Sequence, residues 1–372
     1  MKKLRANIHI LSFILSFYSL NTFATHDTLP EAKSKGRVWG YSFGDFFYKA
    51  SGDTMHWGKY EYAPTNKGTI GGSLRRLYFG YDYEISKTFS SRLLLEASDF
   101  ITTRQGQFGM AIKLGYCEWK NPLNLIPHSV LRGGLVPTPV MPFPEKVWGY
   151  RSIEKQALDP LWFSNYVDQG FSYEIEFNEK KNGGLTVMVG NGTSNYPGVN
   201  KKLEYYGAFY KKFLNDRLTF ELMGNYKNTH DSIDKFIGMF FASYETEHLR
   251  LGMEVSEAVN EVWENGHYKK VSPLIMSFYS AFELPLKDHV LHAFLRYDSF
   301  NPNARKRTSN SHIEEENYRE HTFIGGVHFL LDQKVNIMPN LTVNTYQTKN
   351  NISEDRKPDI VPRITLLWVF GD

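Results

Sequence analysis

Residues 72–98 read GSLRRLYFGYDYEISKTFSSRLLLEAS. In the first half every second residue is apolar. Leu77, Phe79, Tyr81, Tyr83 and Ile85 share one side, opposite Arg76, Tyr78, Gly80, Asp82 and Glu84. After a break at Ser86-Lys87-Thr88 the alternation resumes, with Leu93, Leu95 and Ala97 set against Arg92, Glu96 and Ser98. Successive side chains of a strand point to opposite faces, so a period of two predicts paired strands with one apolar and one polar face.

The same pattern recurs along the chain. In 217–227, Leu218, Phe220, Leu222 and Tyr226 oppose Arg217, Thr219, Glu221, Asn225 and Lys227. In 249–256, Leu249, Leu251, Met253 and Val255 oppose Arg250, Gly252, Glu254 and Ser256. Such runs predict about 16 strands, at 37–49, 72–86, 89–99, 108–119, 128–137, 169–178, 184–191 and 202–213, then 217–227, 236–246, 249–257, 271–283, 289–298, 320–331, 335–346 and 358–370. Short connections (Ser86–Thr88, Leu214–Asp216, Glu245–His248, Leu284–Asp288, Leu331–Lys334) alternate with longer polar ones (50–69, 191–201, 228–235, 257–270, 298–319, 347–357). Turns at one end and loops at the other are the plan of a transmembrane antiparallel barrel. Aromatics near run ends (Trp39, Tyr41, Tyr83, Trp119, Tyr226, Tyr244, Tyr297, Trp368, Phe370) fit the girdles of such a barrel.

Composition narrows the class. The chain has 372 residues, 15% of them aromatic and 41% hydrophobic, with one cysteine. A mean hydropathy of −0.42 excludes a bundle of membrane helices. One cysteine excludes a disulfide framework or a cysteine-rich metal site. Lys2, Lys3 and Arg5, the apolar run Ile8–Leu20 and the small residues of Thr22-Phe23-Ala24 read as a signal peptide cleaved after Ala24. The expected organisation is a signal peptide at 1–24, a short extension at 25–36 and one barrel domain at 37–372. The mature chain is then balanced in charge, which argues against a nucleic-acid partner.

Four segments carry a family resemblance: Leu74-Arg75-Arg76-Leu77-Tyr78-Phe79-Gly80, the passage Leu131–Pro139, the long loop after it, and the terminal strand with Ile360, Pro362, Ile364, Leu366, Trp368 and Phe370 on one face. With these the chain resembles the 16-stranded bacterial outer-membrane porins, most of all the phosphate-selective type and its Bacteroidota-type members. The terminal strand departs slightly, since Gly371-Asp372 follows Phe370. The resemblance implies an outer-membrane location among lipid and lipopolysaccharide, a homotrimer, and passive diffusion of small hydrophilic solutes without a cofactor.

It also implies that one long loop folds inward. The candidate is 138–168, with Lys146, Arg151, Glu154 and Lys155. By parity, the lumen-facing basic residues are Arg76, Arg92, Lys113, Arg132, Arg217, Arg250, Arg296 and Arg363. Such a column would give a mild anion preference. The same faces carry Asp82, Glu84, Glu96, Glu174, Glu176, Glu221 and Glu254, and cross-strand pairing is the expected outcome. No catalytic motif is present. His289 and His292 point to opposite faces and cannot share a metal, and Cys117 reads as a packed free thiol. A barrel enzyme of phospholipase or protease type and a non-conducting structural or adhesive barrel are the alternatives to a channel.

Overall fold

The computed structural model describes residues 35–52, 60–140, 142–158, 165–198, 202–227, 234–264, 267–285, 290–302, 304, 318–348 and 356–371. The expected signal peptide and nearly all of the 25–36 extension lie outside them. The strands are β1 (Gly36–Tyr48), β2 (Ile70–Glu84), β3 (Phe89–Thr102), β4 (Phe108–Lys120), β5 (Ser129–Pro137) and β6 (Val167–Glu176). They continue with β7 (Gly183–Gly190), β8 (Glu204–Phe213), β9 (Leu218–Lys227), β10 (Lys235–Glu245), β11 (Leu249–Glu264) and β12 (His267–Val271). The last five are β13 (Leu274–Pro285), β14 (Val290–Asn301), β15 (Tyr318–Asp332), β16 (Val335–Thr348) and β17 (Asp359–Gly371). Helix α1 (Pro142–Trp148) lies between β5 and β6.

Each strand pairs antiparallel with its neighbours, and β17 returns to β1 from Trp39↔Gly371 to Phe47↔Arg363. Among the described residues β12 pairs in register with the far end of β11, whose near end pairs directly with β13. The closed ring therefore has 16 strands. Closure leaves no open edge, as a sheet in lipid requires. The sequence reading takes 257–270 as loop; most of it instead prolongs the β11 ladder, with Asn260↔Val271 to Glu264↔His267 in register. Its charged residues hide the alternation in that stretch.

The burial pattern is inverted relative to a soluble sandwich. Outward Phe46 and Ile70 are 74% and 79% exposed, whereas inward Glu254 and Arg296 are 1% and 3% exposed. An apolar surface of this extent belongs against lipid, and the polar faces turn inward. At the closing seam, outward Phe370 lies over Gly40, where a Cβ would stand 2.3 Å from its ring. Trp39 and Tyr41, expected in the girdle, face inward instead: the Trp39 indole donates to Asp82 and the Tyr41 ring lies 4.7 Å from that of Tyr78, tilted by 38°. Their alternation is clear, but at the ring seam β2 fixes the face. Cys117 is a second correction, since it is exposed rather than packed.

Two β-bulges matter for the interior. Phe43 pairs with Arg76 and Gly44 with Leu74, so Arg75 is the extra residue of β2. A bulge of this kind breaks the period of two. Arg75 and Arg76 are consequently both buried. In the same way Leu94 pairs with Leu114 and Leu95 with Ile112, leaving Lys113 unpaired on β4.

Candidate functional site: the barrel interior

The described part of the long connection after β5, 138–140, 142–158 and 165–166, folds into the barrel as expected. Its neck is closed by the Thr138 amide, which donates to Tyr166 O at 2.9 Å. Pro142 opens α1, where a missing N–H costs nothing and the fixed φ suits the helix. The helix ends at Gly149, whose φ of +70° favours glycine and whose Cβ position lies 2.3 Å from Arg250 Nη1. Val147 and Trp148 are buried in one apolar cluster with Ile237, Met239, Phe241, Tyr279 and Phe294 of the facing strands. Trp148 meets Phe294 edge-on at 5.9 Å and donates its indole N–H to Glu154 O at 3.0 Å. Removing a buried indole of this kind costs about 3–5 kcal/mol.

A second segment also enters the barrel. The 50–69 connection reads as an ordinary polar loop, yet Tyr60, Tyr62 and Ala63 are buried. The Tyr60 hydroxyl donates to Asp298 on β14 at 2.8 Å, and Tyr62 stacks on Phe47 at 3.8 Å. Burial and the neighbouring Asp298 carboxylate keep the Tyr60 hydroxyl protonated well above its ordinary range, so it remains a donor.

Arg75 ties the two segments together. Its guanidinium donates to Ser152 O at 2.6 Å and Ile153 O at 3.1 Å, and pairs with Glu61 at 2.9 Å and Asp45 at 3.2 Å. Burial raises the affinity of the Glu61 carboxyl for a proton, but Arg75, then Arg363, Arg76 and Lys155, outweigh it and hold the carboxyl below its ordinary range. Asp45 also accepts from Thr365 and lies 3.6 Å from Arg363. Glu154 accepts from the Glu61 amide at 3.2 Å, joining the segments a second time.

The anticipated site residues fall into three groups. Arg76, Arg92, Lys113 and Arg132 stand on β2–β5 and are all paired: Arg76 with Glu96 at 2.9 Å, Lys113 with Glu96 at 3.0 Å, Arg92 with Asp82 at 2.6 Å, and Arg132 with Glu118 and Glu174 at 2.9 and 2.6 Å. Three of these pairs keep contact with water, with side-chain exposures of 38% and 28% for Arg92 and Asp82, 19% and 31% for Arg132 and Glu174, and 25% and 8% for Lys113 and Glu96. Arg151 belongs beside them, 3.6 Å from Glu145 and near the Tyr166 ring.

Arg296 lies across the ring on β14 and Arg363 on β17, two strands from β2, and both are buried beneath the inward segments. Arg296 pairs with Asp298 at 2.7 Å and donates to Lys155 O. Arg363 donates to Asn340 at 2.8 Å and Thr342 at 2.9 Å. Glu154 is buried with them, and the Lys155 ammonium lies 5.5 Å from the Phe100 ring centre. The third group stands apart. Arg250 rests over the Tyr150 ring, Lys146 is exposed on α1, and Arg217 is exposed in the turn before β9.

Arg75, Asp45, Tyr60, Glu61 and Asp298 are absent from that expectation. Strict alternation assigns Arg75 to the outer face; the adjacent Arg75-Arg76 pair, with one arginine out of phase, is the only local sign of the bulge. Asp298 shares parity with Arg296 but sits where the strand was expected to end.

No protein-family model and no curated protein sequence matches the chain. Solved structures do. The outer-membrane channel DcaP of Acinetobacter baumannii superposes with a TM-score of 0.62 at 10% identity, over 92% of this chain and 99% of that one. OprB of Pseudomonas putida gives 0.62 at 8% identity, over 91% and 94%. An anion-selective porin from Comamonas acidovorans gives 0.58 at 12% identity, over 91% and 100%. At such identities the likeness is one of fold: the chain is a porin-like, 16-stranded barrel of the bacterial outer-membrane type.

Proposed function

We propose that this protein is an outer-membrane diffusion channel for small hydrophilic solutes and ions, assembled as a homotrimer after removal of residues 1–24. The observation that carries this reading is the set of water-accessible charge pairs on β2–β6, Arg92–Asp82, Lys113–Glu96 and Arg132–Glu174, facing the inward loop that bears Arg151 and Glu145. Paired charges of both signs suit polar solutes in general, and the Arg132 and Arg151 guanidiniums favour anions mildly. The resemblance to phosphate-selective porins makes phosphate the first solute to try. The fold neighbours that are channels, together with the lack of a catalytic motif, support a non-enzymatic role. Recording single channels of the refolded protein in a planar bilayer under a KCl gradient tests this. Stepwise conductance with a weakly anion-selective reversal potential is expected.

A second reading has its own observation. The 60–63 segment fills part of the interior from the other side, anchored to Asp298 and Arg75. This favours a barrel that does not conduct until that segment is displaced. Silence in the same recording, with a folded barrel on the gel, would select it.

A further inference from the structure

We propose that His292 and His328 form a binding site for a divalent transition-metal ion of the zinc class, at the short-turn end of the barrel interior. The two residues lie on adjacent strands and are direct cross-strand partners, His292↔His328. Such partners have Cβ atoms about 4.5–5.5 Å apart on one face. Their rings are 5.5 Å apart between centres and tilted by 30°. An ion about 2.0–2.1 Å from one nitrogen of each ring, at a tetrahedral angle, requires ring centres roughly 5–5.5 Å apart.

The surroundings are those of a ligand pair. His328 Nε2 is 2.7 Å from Asn336 Oδ1, an acceptor, so Nε2 carries the proton and Nδ1 keeps its lone pair. An imidazole held by its other N–H in this way is the usual arrangement of a metal-bound histidine. On the other flank Glu283 is the direct partner of His292, placing a carboxylate next in the row. Glu283 is held by His248 at 3.0 Å. Arg250, a neighbouring cation, has its guanidinium over the Tyr150 ring, 5.6 Å from its centre.

Among the described residues no three His, Cys, Asp or Glu side chains already converge on one point. The site is thus one of two imidazoles, with water completing the shell. Two imidazoles favour the borderline ions Zn2+, Cu2+ and Ni2+ over Mg2+ or Ca2+. Reading along the chain misses it: the spacing of His289, which lies outside the described residues, and His292 predicts opposite faces, and the neighbour of His292 comes from the next strand.

The test is zinc titration of untagged, refolded full-length protein in detergent, followed by calorimetry and by X-ray absorption of the one-equivalent complex. One Zn2+ per chain with two imidazole nitrogens in its shell is expected. His292→Asn and His328→Asn should each weaken binding by more than about tenfold, and Asn336→Leu, which keeps both ligands, by about tenfold. His321→Asn, whose ring hydrogen-bonds Tyr297, should leave binding unchanged. Binding that survives both ligand substitutions overturns the proposal. If a variant fails to refold, the wild-type spectrum decides: a shell without two imidazoles overturns it equally.

Discussion

Arg132 on β5 and Arg296 on β14 are both inward arginines held by carboxylates, yet they live in different media. Arg132 and its partners Glu118 and Glu174 keep water contact. Arg296 and Asp298 are buried under Lys155 and Tyr60. The same contrast separates the two walls. On β9–β16 the inward residues include Ile237, Met239, Phe241, Tyr279, Phe294 and Met338, which form an apolar cluster with Val147 and Trp148. On β2–β6 charged pairs and tyrosines stand beside a few buried apolar residues, Leu94 and Val136 among them. The inward loop packs its apolar residues mainly on the wall that offers apolar surface, and it meets β2 through the polar contacts of Arg75. Charged groups on the covered wall therefore act as struts, and those on the open wall keep contact with water.

The largest effect should come from cutting the link between the segments. Arg75→Ala leaves Asp45 and Glu61 without their buried partner and frees Ser152 O and Ile153 O. A loss of about 3–5 kcal/mol is expected. It should be seen in denaturant unfolding, with noisier and larger single-channel currents. Unchanged currents would mean that Arg75 does not hold the loops against the covered wall.

Arginine placed on the outer face probes the lipid side of both walls. Leu222 on β9 and Leu93 on β3 are 58% and 41% exposed. Each substitution should cost about 2–4 kcal/mol in folding into vesicles. A much smaller cost at one of them would mark that wall as covered by another protomer rather than by lipid.

Glu61→Gln should cost about 1.5–3 kcal/mol at neutral pH. The folded-state affinity of Glu61 for a proton is depressed, so its contribution is present above the unfolded carboxyl range and lost as pH falls through the folded one. Thermal unfolding of wild type and variant should converge in acid. A difference that persists there would assign the anchoring of this segment to Tyr60 instead.

The smallest effect on stability, and the most telling about the open wall, belongs to Arg132→Glu. The barrel should stay folded while the reversal potential moves toward cations. The matching change at Arg296 should destabilise the barrel and leave selectivity where it was. If both move selectivity equally, the two walls are not distinct.

Much of this was legible beforehand. Leu77, Phe79 and Tyr81 on the outer face, Arg76 and Asp82 inside, and the loop after Pro137 all follow from local alternation and a long proline-rich connection. Trp39, Tyr41 and Arg75 were not legible, since a seam or a bulge decides their side. The pairing of His292 with His328 and the inward turn of 60–63 were hidden for another reason. Each depends on which strand or loop comes to lie opposite, and nothing near those residues in the chain records it.

By itself, then, the amino-acid order determined a closed barrel with an apolar exterior, because a period of two is written residue by residue and a strand has only two faces. It also placed several of the interior charges, Arg76, Asp82, Glu96 and Arg132 among them, on the inner face. The tertiary structure alone decided which of those charges meet water. That depends on where two inserted segments come to rest, through contacts such as Tyr60 with Asp298 and Arg75 with Ser152 that join distant parts of the chain. Burial free energy belongs to such contacts, and no local pattern encodes it.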